Sequence, residues 1–324
     1  MALIAILQSG QLMLLLLAMN TAVIVNPVSG NKKSLRILTK AIEWCSDQGL
    51  EFKLYSTQKP GDGVRLGRIA RLDGYERIVV IGGDGTVNEV VQSVIGYDIT
   101  IGVLPGGSGN DFYKMLGNEG NLDDAMRTAF LGRAHEIDIG VANGIPFVNA
   151  VGLGFDAQVA ISASQSKFSG RGRYLSAVFK VLRGFTPYPL DIELEQVKLS
   201  EKMTLVCVGN GRCCGGGFHL TPQAKFDDGL FDVCLISAMS KLRIIRFLPR
   251  AMKGTHIRLE GVRIYRSRKI MVRSANRFPV HVDGNVMPEP VDKLEITFDR
   301  RKLKVAIAEK APTRDGRIYD SENK

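Results

Sequence analysis

The sequence predicts an α/β protein in two parts: a doubly wound parallel sheet, then a β-rich, sandwich-like domain, with the functional cleft between them. Three observations predict it. Over residues 20–138, β-branched runs alternate with segments of helical spacing. Three of those runs end in loops rich in glycine and small polar residues. From about residue 139 the alternation gives way to short strands separated by turn residues.

In the first part, Thr21–Val25 is a buried strand that stops at Asn26-Pro27. Leu35–Gln48 sets Leu35, Leu38, Ile42 and Cys45 at helical spacing, and Gly49 ends it. Glu51–Tyr55 alternates as a strand, and Gly63–Leu72 is a helix. Arg77–Ile81 is a strand running into Gly82, and Val87–Ile95 is a helix. Thr100–Leu104 is a strand closed by Pro105, and a helix follows from Asp111.

The second part, 139–298, carries predicted strands at Pro146–Val151, Leu190–Val197, Met203–Gly209, Leu230–Ile236, Arg258–Tyr265, Lys269–Arg273, Pro279–Val282 and Lys293–Phe298. Helices are expected at Phe155–Lys167, Tyr174–Arg183 and Lys241–Lys253. Segment 299–310, with its strand Leu303–Ile307, is expected to return to the first domain. The polar end, Thr313–Lys324, is expected to fray. Residues 1–19 form an uncharged apolar extension around Leu12–Leu17. No Lys or Arg precedes that run, so it makes a poor signal peptide, and Gln8–Gln11 interrupt a bilayer span. Met19 as the true start and a membrane anchor are the two readings; the strand beginning at Thr21 favours the first.

The formal charge is +10 and the pI about 9.4, a balance that favours anionic partners. Ala157–Leu190 holds no Asp or Glu but has Lys167, Arg171, Arg173, Lys180 and Arg183. Between Lys241 and Arg277 only Glu260 is acidic. With no aromatic stacking ladder, this basic patch suits an anionic membrane surface and not nucleic acid. Along Lys241–Lys253, cations recur at Arg243, Arg246, Arg250 and Lys253, and apolar residues at Leu242, Ile245, Leu248 and Met252. That apolar stripe is expected to pack into the core, with Pro249 breaking the helix. The five cysteines are odd in number and lack a CxxC pair, so neither a disulfide framework nor a zinc site is expected and a reduced, cytoplasmic compartment is. Cys213 and Cys214 read as small apolar filler.

Three loops carry the chemistry. Gly82-Gly83-Asp84-Gly85-Thr86 lies between a strand and a helix, where glycines admit a ligand to the backbone and free helix N–H groups make a phosphate site. Asn88 and Glu89 fall in the first helical turn, within reach of the same ligand. Leu104–Phe112 (Leu-Pro-Gly-Gly-Ser-Gly-Asn-Asp-Phe) and Asn26–Gly30 (Asn-Pro-Val-Ser-Gly) have the same character. In an open α/β sheet all three sit at carboxyl ends of strands, where ligands bind. Neither a P-loop nor a G-x-G-x-x-G fingerprint is present.

Taken in order, these motifs resemble the catalytic domain of diacylglycerol and sphingosine kinases, above all the bacterial soluble lipid kinases. The resemblance continues through Thr57–Asp62, Phe147–Asp156, Pro222–Leu230 and Val282-Asp283-Gly284. It implies that 20–138 binds ATP and 139–298 binds lipid. It implies an ATP site of Asn26, Ser29, Thr57, Gly82, Gly83, Asp84, Gly85, Thr86, Asn88, Ser108 and Asp111. Asp84 and Asp111, with Asp138, would belong to the Mg²⁺–ATP network, and Asp283 would take the proton from the lipid hydroxyl. A second Mg²⁺ would sit on a turn through the Asp228 carboxylate and the Lys225 and Leu230 carbonyls. From spacing alone, Asp283 and Asp228 are both simple Asp-Gly turns. The family usually reads Asp-Gly-Glu where this chain has Asp283-Gly284-Asn285. The expectation is a cytoplasmic, peripherally membrane-associated lipid kinase. The rivals are an NAD kinase-like phosphotransferase, which shares Gly-Gly-Asp-Gly, and a non-catalytic nucleotide or lipid sensor, suggested by Asn285. The acceptor lipid and the oligomeric state, a homodimer included, stay open.

Overall fold

The computed structural model describes residues 20–117, 120–165 and 170–308. The extension 1–19, the tail 309–324 and positions 166–167 of the helix expected at Phe155–Lys167 lie outside the described residues. Elements of the first part are β1 (Thr21–Val25), α1 (Ser29–Asp47), β2 (Lys53–Ser56), α2 (Asp62–Leu72), β3 (Arg77–Gly82), α3 (Asp84–Val94), β4 (Thr100–Pro105), α4 (Asp111–Met115), α5 (Leu122–Leu131) and β5 (Arg133–Ile137). The second part opens with β6 (Gly140–Ala142), β7 (Ile145–Phe147), β8 (Ala150–Gly154), α6 (Phe155–Ser164), α7 (Gly170–Gly184), β9 (Tyr188–Glu193) and β10 (Lys198–Gly209). It continues with β11 (Phe231–Ser237), α8 (Lys241–Met252), β12 (Val262–Ser267), β13 (Ile270–Phe278), β14 (Val280–Val282), β15 (Asn285–Val286) and β16 (Val291–Phe298), and β17 (Leu303–Ile307) follows.

The first sheet runs β2-β1-β3-β4-β17-β5. β1 to β4 and β17 are parallel, and β5 alone pairs antiparallel. β1 is buried along its length, as a strand covered by helices on both faces must be. The parallel arrangement puts the loops after β1, β3 and β4 at one end of the sheet, where the ligand-binding edge of such folds lies. Two elements of the first part, α5 and β5, escaped the pattern reading. α5 starts at a cap, Asn121, whose side chain accepts from Asp124 N at 2.9 Å. β5 is a largely exposed polar strand with no apolar alternation, and it exists because β17 pairs along it.

The second sheet is antiparallel and branches at β10. Residues 198–203 of β10 pair with β9, while 205–209 lie between β8 and β11, with the register shifting at Met203/Leu205. One leaf is therefore β15-β14-β8-β10-β11-β12, the other β10-β9-β13-β16-β6-β7. Their inner faces enclose one core, including Phe147, Leu153, Val206, Phe231, Ile192, Val272 and Ile296. On the outer face of the first leaf, α6, α7 and α8 cover Leu205, Cys207, Cys234 and Ile236.

Several expected boundaries shift. Pro146–Val151 divides into β7 and β8; the strand expected at Arg258 begins at Val262, after a 3-10 turn at Thr255–Arg258 and a left-handed Gly261. The Leu190–Val197 strand stops at Glu193. The buried face of α1 is Ile37, Ala41 and Cys45, whereas Leu35 and Ile42 are exposed. α8 runs through Pro249 to Met252; the proline forfeits one ladder bond, its own to the Ile245 carbonyl, and less than one further turn follows it. Its core stripe is Ile244, Phe247 and Ala251; Leu242 is 66% exposed, with Ile245 and Met252 also at the surface.

Candidate active site

The three glycine loops touch through their backbones. A Cβ on Gly107 would stand 2.3 Å from Gly83 Cα, and one on Gly30, whose φ is +57°, would stand 2.3 Å from Gly106 O. Only glycine permits that approach. Asn26 Nδ2 donates to Thr86 Oγ1 at 3.0 Å, tying the first loop to the N-terminus of α3. Around this point lies an open cavity lined by Asn26, Ser29, Thr57, Gly83, Gly85 and Thr86 among others. The loop after β2 forms its far wall; Asp62 Oδ2 closes that loop by accepting from Gln58 N at 2.8 Å and Lys59 N at 3.0 Å. Free N–H groups at the start of α3 face a cavity of a size suited to a nucleotide phosphate chain.

Not every residue expected here lines this cavity. Gly82 lies beneath it, against Thr86, and Ser108 is exposed on the neighbouring loop. Glu89 does line it, but its two oxygens accept from Gly61 N and Gly63 N, both at 2.9 Å, and so hold α2.

Asp84, Asn88 and Asp111 instead line a second cleft, where α3 and α4 of the first domain meet β8 and β14 of the second. Asp84 Oδ1 accepts from Phe112 N at 3.0 Å, and Asp111 Oδ2 accepts from Gly216 N at 2.6 Å. Burial, and then the charge of Asp111, pushes the Asp84 carboxyl up to about 6. Asp111 Oδ1 also meets Lys114 Nζ at 3.3 Å; with that half-exposed lysine turned aside, the two carboxylates of this cleft make a donor set for a hard dication, and the pair fits Mg²⁺.

Asp283 stands across the same cleft with φ +48°, in the turn between β14 and β15. Its Oδ1 accepts from Asn149 N at 2.9 Å and Ala150 N at 2.8 Å. Its Oδ2 accepts from Val148 N at 2.9 Å and from Asn88 Nδ2, across the domain junction, at 3.0 Å. Burial raises this carboxyl above its usual range, and the three backbone amides and Asn88 pull against that rise. Of the four donors only Asn88 is a side chain that can turn away. Sequence reasoning assigned Asn88 to the nucleotide; its observed contact is with Asp283.

Asn285 is exposed on β15, and the partners of Asp283 are in place without it. The turn carrying Lys225, Asp228 and Leu230 is already neutralised: Asp228 Oδ2 pairs with Arg266, and its Oδ1 accepts from Leu230 N at 3.1 Å. Asp138 belongs to this turn and not to the Asp84–Asp111 pair, since it pairs with Lys302 and accepts from Gly229 N at 2.8 Å. Both carboxylates are met by protein cations, so a second Mg²⁺ on this turn would have to displace Arg266 from Asp228.

Behind the cleft, an apolar pocket opens between the outer face of the first leaf and helices α6 to α8. Phe155, Val159, Leu205, Phe218, Ile244 and Phe247 line it, and Gly215 lines both pocket and cleft. Pattern reading missed this pocket because its lining is contributed by strands, helices and a loop that share no local period.

Residues 20–142 match the model of the diacylglycerol kinase catalytic domain. Residues 149–305 match that of the YegS C-terminal NAD kinase beta sandwich-like domain. The chain is 28% identical over 266 residues to a diacylglycerol kinase of Staphylococcus carnosus, covering 81% of this chain and 87% of that one. It is 27% identical over 267 residues to a diacylglycerol kinase of Bacillus subtilis (81% and 88%). It is 28% identical over 263 residues to a probable lipid kinase of Chromohalobacter salexigens (79% and 85%). A Bacillus anthracis crystal structure superposes with a TM-score of 0.73 at 21% identity, over 90% of this chain and 98% of that one. A structure of a diacylglycerol kinase from the same organism superposes at 0.64 and 21% identity, over 89% and 96%. With the two domain models following one another along nearly the whole described chain, the protein belongs to the diacylglycerol kinase catalytic-domain family of lipid kinases.

Proposed function

We propose that this kinase transfers the γ-phosphate of ATP, with Mg²⁺, to the hydroxyl of a membrane lipid, diacylglycerol or a related lipid alcohol. One observation carries the reading: Asp84, Asp111 and Asp283 line a single cleft that lies between a phosphate-type cavity and an apolar pocket. A nucleotide phosphate chain bound on the glycine loops points its end at Asp84 and Asp111. A lipid lying in the apolar pocket brings its hydroxyl past Gly215 toward Asp283. Mg²⁺, when bound, neutralises charge on the transferring phosphate.

The chain's own residues position the two reactants and move one proton. Asp283 Oδ2 exchanges the Asn88 amide for the substrate hydroxyl and accepts its proton as the oxygen attacks the γ-phosphorus and the bond from that phosphorus to the bridging oxygen of the departing ADP breaks. The raised affinity of this carboxyl for a proton suits it to that role. Gln92 Nε2 donates to Asn88 Oδ1 at 2.6 Å and keeps that side chain anchored by its oxygen when its Nδ2 leaves Asp283.

The exposed side chains Phe179, Leu242, Ile245 and Met252 lie on α7 and α8, the helices that wall the apolar pocket, beside Lys180, Arg183, Arg246 and Arg250. An apolar tip ringed by cations suits an anionic bilayer surface. Among the described residues no helix is long and apolar enough to cross a membrane. The apolar pocket disfavours NAD as acceptor, since a dinucleotide would leave its polar groups unpaired there.

The test is phosphate transfer from labelled ATP to a panel of lipid alcohols in mixed micelles, with NAD in parallel. Labelled lipid that Asp283→Asn abolishes supports the reading. Labelled NAD without labelled lipid overturns it, and ATP binding without any transfer favours the sensor.

A further inference from the structure

We propose that Cys207, Cys214 and Asp156 form a binding site for a borderline-soft divalent cation, Zn²⁺ by preference, at the seam between the reaction cleft and the apolar pocket. One ligand atom from each of the three lies within 4.8 Å of the others. In a tetrahedral zinc site with bonds of about 2.0–2.3 Å, ligand atoms stand roughly 3.3–3.8 Å apart. Closing the cluster onto a metal therefore needs shifts of about 1 Å, well within side-chain freedom.

The framework around the cluster is rigid. Cys207 lies level with Gly152, which in turn lies level with His281 across β10, β8 and β14, so all three present the same face. Gly152 leaves the hollow: a Cβ there would meet Asp156 Oδ2 and His281 Nε2, each at 2.2 Å. Cys214 is pinned by a pair of backbone bonds with Phe218, at 2.8 and 2.9 Å. His281 Nδ1 accepts from Gly284 N at 3.3 Å, so its Nε2 carries the hydrogen and donates to Asp156 Oδ2 at 2.8 Å. A carboxylate oriented by a second polar partner in this way is a common feature around metal ligands. Beyond this bond the Asp156 carboxylate faces buried thiols.

Thiolates with one carboxylate select zinc over Mg²⁺, which prefers an all-oxygen shell. Three protein ligands leave a fourth position open. Cys214 lines the reaction cleft and Asp156 the apolar pocket, so that position faces the place where the two spaces join. Resting on the lipid-kinase reading, the inference continues that bound Zn²⁺ blocks lipid turnover.

The experiment uses the full chain, reduced and stripped with chelator, titrated with Co²⁺ as a spectroscopic probe and then with Zn²⁺ as competitor. One equivalent should produce a thiolate-to-cobalt charge-transfer band and tetrahedral ligand-field intensity, and Zn²⁺ should erase both. Cys207→Ser and Cys214→Ser should lose the band, Asp156→Asn should bind at least about tenfold more weakly, and Cys45→Ser, remote from the cluster, should behave as the parent. Circular dichroism checks that each variant folds. Absence of the band in the parent, or its survival in both Cys207→Ser and Cys214→Ser, overturns the site. Inhibition by Zn²⁺ in excess Mg²⁺, measured against each variant's own activity, should vanish in Cys214→Ser. A thiolate-bound metal without inhibition upholds the site and refutes its coupling to turnover; absence of kinase activity in every sample leaves the cobalt result standing and counts against the lipid-kinase reading alone.

Discussion

Replacing Asp283 by Asn tests the proposed chemistry most directly. The carboxylate accepts from Asn149 N, Ala150 N, Val148 N and Asn88 Nδ2. An amide has one oxygen, so in either orientation its NH₂ group confronts two donors. Each buried donor left without a partner costs about 1–3 kcal/mol, which puts the destabilisation at roughly 2–6 kcal/mol. Loss of a general base costs a further factor of about 10²–10⁴ in kcat. The two effects separate by assay. Stability is read from denaturant midpoints, and turnover from initial rates well below the unfolding temperature. The KM for ATP should stay near the parent value, because Asp283 does not line the phosphate cavity. The parent must have Asp283 ionised to act, so its rate should fall as pH drops through a carboxyl raised by burial, and rise above it. In Asp283→Asn that acid limb should vanish. A folded Asp283→Asn protein with turnover within about tenfold of the parent, a tenth of the smallest loss a general base implies, or with the acid limb intact, would refute the argument.

Other outcomes follow from the same geometry. Asp111→Asn should relieve the charge that raises Asp84, whose value stands at about 6, and should raise the Mg²⁺ concentration needed for half-maximal rate about tenfold or more. Gly107→Ala forces a Cβ to 2.3 Å from Gly83 Cα; the expected loss is about 1–3 kcal/mol of stability and a higher KM for ATP, with the KM for lipid little changed. Val159→Phe should fill the apolar pocket and raise KM for long-chain lipids while sparing short-chain alcohols, read in mixed micelles. Leu242→Asp with Ile245→Asp should leave the thermal midpoint unchanged but weaken sedimentation with anionic vesicles about tenfold or more.

The parallel sheet and its three glycine loops were legible in the sequence because each is a local matter. Thr21–Val25 and Arg77–Ile81 are β-branched runs, and the Gly82–Thr86 and Gly106–Gly109 loops need glycine because backbone must approach backbone. What the sequence left open was decided at long range. Which face of α1 and α8 is buried depended on the sheets they cover, so Leu35 and Leu242 came out exposed although their spacing is helical. β5 is too polar to announce itself and forms only where Leu303–Ile307 returns beside it. Asp283 looks like a hairpin turn until Asn88, 195 positions away, meets its carboxylate. Cys207, Cys214 and Asp156 have no metal-binding spacing, and the antiparallel register of β8, β10 and β14 alone sets them around one hollow. Local sequence determines backbone conformation through sterics and hydrogen bonding within a few residues; a site made of groups far apart in the chain exists only once burial of two separate cores has brought their supporting strands together.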